Sequence, residues 1–170
     1  MTQLQYIWFN RYQIVQKYRA EMWSYLSEPD VRPDWIVTRP RPYQWSIDEI
    51  LRHMLASEIR YLHQSFDRTA PQTSAAVPAQ WVGKKFFRFK EDPHVNLNEL
   101  KELFPPVENK SINFLKTASE NDFEKIVEAP WGVKMPLYDL LEAFYVHEHY
   151  HRGQVHFIIT NFRGPPNFEE

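Results

Sequence analysis

The stretch LYDLLEAFYVHEHYHRGQVHFIITNF, residues 137–162, decides how this chain folds. Pro136 stands just before it, where a first helical turn tolerates proline, and Gly164-Pro165-Pro166 follows, where a helix must stop. Within it, HEHYHRGQ (147–154) carries three of the chain's seven histidines. With His147 set at zero and about 100° per residue, Leu140 and Ile158 fall near 20°, His151 near 40°, and Phe144 and Phe162 near 60°. Ala143 falls near 320°, so His147 and His151 lie in the middle of an apolar stripe. His149 and His156 fall near 200° and 180°, beside Glu142 at about 220°, and are expected on the polar face.

Two imidazoles in a core face carry nitrogens that need partners, at roughly 1–3 kcal/mol for each one left unsatisfied. A carbonyl or water bonded to each would answer that need, and so would one metal ion. Residues at i and i+4 have neighbouring Cβ atoms, close enough for both rings to reach an ion at about 2.0–2.1 Å. The pair alone leaves both readings open, and a firm divalent site requires a third ligand from another helix.

The region upstream supplies candidates. A second helix begins at Ser46, where S-I-D-E sets Glu49 three residues after a hydroxyl as a capping box, and it runs to about residue 67. His53 lies at the edge of that helix's apolar arc, a position that permits ligation without requiring it. His63 falls in the polar arc and His94 in a loop beside Pro93, so both are expected at the surface. Glu58 falls near the centre of the apolar arc, where an unpaired carboxylate is expensive, so it needs an internal partner. A hydrogen bond to a Tyr or Trp is the plainer reading, and a carboxylate supporting the site or acting as general base is the functional one. Gln154, near 340° on the last helix, is a weak candidate for bonding a metal-bound group, or else bridges helices. Gly153 implies close packing or a tolerated weakness of about 1 kcal/mol relative to Ala, and Arg152 is expected to face outward.

Two further helices complete the set. Residues 3–27 place Leu4, Ile7, Trp8, Tyr12, Ile14, Val15, Tyr18, Met22 and Leu26 at three- and four-residue spacings, with no Pro or Gly before Pro29. The segment SEPDVRPDWIVTRPRPYQW, with four prolines, reads as a connection. A third helical region starts near Leu97, with a break expected at Pro105-Pro106. Between the second and third lies TAPQTSAAVPAQWVGKKFFRFKEDPHVN, almost without helical periodicity, in which WVGKKFFRF suggests a short extended piece. Four helices bury their stripes most simply as an all-α four-helix bundle, and the long crossover between helices 2 and 3 favours an up-down-down-up order.

The totals agree with one domain spanning residues 1–170. Six Trp, nine Tyr and twelve Phe provide a large apolar payload for a core. A formal net charge of −2 gives no electrostatic footprint for nucleic acid. With no Cys, disulfides and thiolate ligands are excluded, and a soft-metal site must use imidazole and carboxylate. No run approaches the roughly 20 apolar residues of a membrane span, and the N-terminus lacks the features of a signal peptide, so a cytoplasmic location is expected.

W-S-I-D-E-I-L-R-H (45–53), P-W-G (130–132) and H-E-H-Y-H-R-G-Q (147–154), at this separation and helix order, make the sequence similar to the DinB/YfiT-like superfamily of metal-dependent four-helix bundles. The resemblance spans most of the chain. It implies a metal held by one histidine of the second helix and an H-x-x-x-H pair of the last, which here are His53, His147 and His151, in an up-down-down-up bundle that forms a homodimer. Three imidazoles with a position open for water or substrate make a catalytic type of site, suited to Zn2+ or Ni2+. Relatives that transfer low-molecular-weight thiols direct attention to a thiol cofactor, with water as the other nucleophile and a small-molecule electrophile as substrate. The resulting expectation is a thiol S-transferase or hydrolase, and the alternative is a non-catalytic, stress-associated metal-binding module. Glu58 and Gln154 gain no role from the resemblance.

Overall fold

A computed structural model of the chain describes residues 1–66, 81 and 93–164, and these are mostly helical. The expected extended piece in WVGKKFFRF lies outside the described residues, apart from Trp81. Helix α1 (Gln3–Leu26) opens with a capping box between Thr2 and Gln5. A short helix, α2 (Pro33–Val37), interrupts the proline-rich segment expected to be pure connection. Pro33 occupies its first position, where a missing N–H is no loss.

Helix α3 (Ile47–Glu58) starts at the expected box, with Ser46 Oγ accepting from Glu49 N at 3.3 Å and Glu49 Oε2 accepting from Ser46 N at 2.9 Å. It continues through a π-helical turn, Ile59–His63, into α4 (Gln64–Phe66). All twelve residues of α3 are buried, so the polar arc drawn on its wheel has no solvent side.

Helix α5 (Leu97–Thr117) runs unbroken through Pro105 and Pro106, against the break expected there. The two missing N–H donors remove hydrogen bonds without redirecting the chain, because Leu100, Phe104, Val107, Ser111 and Leu115 form one continuous buried stripe on both sides of the prolines. A short helix, α6 (Glu120–Glu124), then precedes a hairpin of β1 (Ile126–Glu128) and β2 (Lys134–Pro136), paired antiparallel with Val127 opposite Met135. The Pro130-Trp131-Gly132 segment forms its turn, with Gly132 at φ 86°, a conformation that favours glycine. The last described helix is α7 (Leu137–Arg163). No helix among the described residues is long and apolar enough to cross a membrane.

Helices α1 and α3 each pack against both α5 and α7. Their apolar residues form two clusters. One gathers Met22, Trp23 and Leu26 of α1 with Ile50, Leu55, Phe104, Val107, Val155 and Ile159. The other gathers Trp8 and Tyr12 with Leu62, Leu115, Phe123, Leu137 and Phe144. Between them along α1, α5 and α7 come buried polar residues, Arg19, Ser111, and Glu148 with His151, and Glu58 ends α3 just before Ile59 of the first cluster. A polar belt therefore crosses the core, and the functional candidates lie in it.

Candidate metal centre

The belt has two halves. In the first, α3 brings His53 to the H-x-x-x-H pair of α7. His53 Nε2 lies 2.8 Å from His147 Nε2, and His147 Nε2 lies 3.1 Å from His151 Nε2. The candidate ligand atoms of all three fall within 4.8 Å of one another, in the one group of three or more metal-ligating side chains among the described residues. Nitrogens that share a tetrahedral ion at about 2.0–2.1 Å are separated by roughly 3.3 Å, so this spacing suits a common cation. Lone pairs this close repel unless a proton or a cation stands between them.

The surroundings keep these rings neutral. Burial lowers His53 to about 2, helped by His151, His147 and Arg60. It lowers His147 to about 3, helped by His151 and Arg19. Burial brings His151 to about 4, with the hydrogen bond to Gln154 pulling the other way. Neutral imidazole is the form that binds metal.

Orientation comes from neighbours. His151 Nδ1–H donates to Gln154 Oε1 at 2.7 Å, while Gln154 Nε2 donates to Tyr150 Oη at 3.0 Å. This bond places the His151 proton on Nδ1 and leaves Nε2 as a lone-pair donor toward the cluster. Gln154 thus serves a ligand on its own helix rather than bridging two helices. Trp45, immediately before the Ser46 cap, stacks on His151 with centroids 6.1 Å apart and meets His53 edge-on at 4.8 Å. On the other side, Tyr61 approaches His147 at 5.3 Å and Trp131 of the hairpin turn at 5.5 Å. Two of the short motifs, far apart in sequence, therefore meet at one cluster, and the third reaches it through Tyr61.

The second half of the belt is ionic. Glu58 does not join the imidazoles. Arg19 Nη1 donates to Glu58 Oε2 at 2.7 Å, Arg19 Nη2 lies 2.7 Å from Glu148 Oε2, and Glu108 Oε1 accepts from Arg19 at 3.0 Å. The hydroxyls of Tyr12 and Ser111 both donate to Glu58 Oε1. Burial pushes Glu58 up, but Arg19, His63 and the two hydroxyls outweigh it and hold the carboxyl below its usual range. Glu148 goes the other way, pushed up to about 7 by burial and neighbouring carboxylates against the pull of Arg19. One guanidinium faces three carboxylates, so a proton on Glu148 relieves the excess negative charge.

His63 is the sharpest departure from the wheel. Expected at the surface, it is 2% exposed, and its Nε2 lies 3.0 Å from Ser111 Oγ. The π turn at Ile59–His63 inserts an extra residue into the spiral, which rotates everything after it by roughly 100° relative to an ideal helix. His149 is half-buried between Tyr18 at 5.1 Å and Tyr145 at 4.4 Å instead of facing water. His94 is exposed as expected and bonds Asp48 at 2.9 Å. His156 is exposed too, against Tyr25. Arg152 lies over the Tyr18 ring at 4.0 Å, with Glu21 at 3.6 Å. A Cβ on Gly153 would meet nothing within 4 Å, so close packing does not explain that glycine.

Arg19, Glu148, Ser111 and Trp45 are absent from the sequence-derived candidates. Arg19 had a signal: it continues the buried stripe Tyr12, Val15, Met22, where a charge demands a partner. Glu148, at about 100° on the wheel, had none.

No curated protein matches the chain. The model of the DinB superfamily matches residues 16–155, from the first helix to the turn beyond His151, and the chain belongs to that superfamily.

Proposed function

We propose that this protein is a metal-dependent enzyme in which His53, His147 and His151 hold one divalent ion, Zn2+ or Ni2+, and a low-molecular-weight thiol or water attacks a small electrophile. The observation that carries this reading is the convergence of three neutral imidazole nitrogens within 4.8 Å, with no carboxylate among them. When bound, such an ion supplies Lewis acidity, lowering the pKa of a coordinated thiol or water. The chain's own part is to keep the imidazoles deprotonated by burial, to fix the His151 tautomer through Gln154, and to shield the rings with Trp45 and Tyr61. The Arg19 cluster holds α1, α3, α5 and α7 in register behind these residues. We assign neither Glu58 nor Gln154 a proton-transfer role: Glu58 is engaged by Arg19, Tyr12 and Ser111, and Gln154 is a positioning residue.

The same proposal takes the domain as one four-helix bundle of up-down-down-up order, acting in the cytoplasm as a homodimer on a small-molecule substrate. The ring of contacts among α1, α5, α3 and α7 supports the bundle, and the long link between α3 and α5 supports the crossover.

Elemental analysis of protein purified without an affinity tag tests the site. One equivalent of zinc or nickel in the wild type and none in His151→Ala is the expected result; equal metal in both proteins sinks the assignment. Turnover of a thiol with an electrophile, or of an ester and amide panel, then separates enzyme from non-catalytic module.

A further inference from the structure

Next to the histidines lies a groove of about 470 Å³ walled by Trp45, Ile50, Tyr150, Phe157 and Ile158, with His151 and Gln154 among its lining residues. Its size falls in the range of roughly 300–1,000 Å³ typical of small-molecule sites. Among the described residues none that lines it is charged, the others being Tyr43 and Gln44. Arg41, whose Nη1 donates to Tyr43 Oη at 2.9 Å, does not line it. Trp45 belongs to both places, with one ring stacked on His151 and the same side chain walling the groove. Anything seated there lies against His151, the one member of the imidazole cluster among the groove's described lining residues.

We propose that this groove binds the uncharged aromatic or aliphatic body of the small molecule whose reacting group meets the histidine site. The inference rests on the metal reading above and narrows it to a substrate class. A carboxylate or phosphate on that body would enter a groove in which no described lining residue carries a positive charge to offset its desolvation. A neutral ring gains the faces and edges of Trp45, Tyr150 and Phe157. Phe157 is 58% and Tyr43 73% exposed, an arrangement that leaves apolar surface in water until a ligand covers it.

The test uses three probes sharing one metal-binding head: imidazole, 4-phenylimidazole and 4-(4-carboxyphenyl)imidazole. Each is titrated into Co2+-loaded protein, followed by visible absorption and by calorimetry. The expected result is 4-phenylimidazole binding at least tenfold tighter than imidazole, with the carboxylated probe losing that gain. Phe157→Ser and Tyr43→Ser, both at exposed positions, should remove most of the phenyl advantage and leave imidazole affinity within about twofold. Equal affinities for imidazole and 4-phenylimidazole overturn the groove proposal and leave the metal site standing. Failure of Co2+ to bind, or of any probe to perturb it, sinks the metal reading and the groove with it. Should sedimentation show a dimer that Phe157→Ser dissociates while 4-phenylimidazole binding improves, the groove is an interface between copies and the substrate assignment falls.

Discussion

Around Arg19, one guanidinium meets three carboxylates, and two hydroxyls complete the Glu58 oxygens. Around His147, two imidazoles face a third and none carries a charge. Both groups occupy the same polar belt between two apolar clusters, under similar desolvation, so the contrast lies in their chemistry. The ionic group contains its own counter-charges and can do nothing further without losing them. The imidazole group brings three Nε2 atoms toward one point, which is the arrangement a cation recognises. A buried polar cluster that closes on itself is structural; one whose donors all face inward unpaired in sign is a receptor.

Removing the guanidinium should break this contrast most severely. Arg19→Met leaves Glu58 and Glu148 buried without their shared guanidinium, a loss of about 3–5 kcal/mol in urea unfolding. A loss under about 1 kcal/mol would show that the cluster relaxes or is hydrated, and that the two halves are not so different.

Acid should separate the halves next. In metal-free protein the three imidazoles, held at about 2, 3 and 4, take up protons on unfolding at any pH below the free value near 6.5. Stability is therefore fully present above about 6.5 and is lost as pH falls toward those lower values. Glu58, also held low, adds a loss below its unfolded value of 4.5. Glu148, raised to about 7, opposes by roughly one proton between 4.5 and 7. The net of about two protons gives a slope of up to about 2.7 kcal/mol per pH unit between roughly 6 and 5. Denaturant midpoints in chelator across pH 5–7 measure it; a flat profile would mean the rings titrate normally.

Metal should rescue one half only. At free Zn2+ one hundred times its Kd, folding gains about 2.7 kcal/mol, and His151→Ala should abolish that gain. Arg19→Met should keep it, whatever its own stability. If both variants lose the gain, the halves act as one unit.

Gln154→Leu sharpens the comparison inside the imidazole half. Loss of the acceptor on His151 Nδ1 should weaken metal affinity by about 10–100-fold in competition with a chelator, while the metal-free melt changes little. The smallest effect belongs to Gly153→Ala, on an exposed face of α7 where a Cβ meets nothing: a gain of about 0.5–1 kcal/mol with metal affinity unchanged.

Much of this was legible from residue order alone. The Ser46 box, the bounds of the first and last helices and the inward setting of His151 all follow from interactions within about four residues, which propensity and periodicity report directly. So did the need of Glu58 for an internal partner, though not that Arg19 would be it. The wheel failed where its assumptions failed. It assumed a constant 3.6 residues per turn, which the π turn that ends at His63 violates, and a solvent side for the second helix, which α3 does not have. It also took two adjacent prolines to end a helix, although the stripe from Leu100 to Leu115 holds both parts of α5 against the same core.

By itself, the sequence determined which faces must be buried and that two histidines lie on one of them, because hydrophobic periodicity and the absence of cysteine are local and compositional facts. Only the tertiary structure decided which distant side chains meet: His53 with His147 across two helices, Arg19 with Glu58 and Glu148 across three, and Trp45 between an imidazole and a groove. Those pairings depend on the packing of separate helices, and nothing in a single helix's pattern encodes the rotation and offset at which its neighbours arrive.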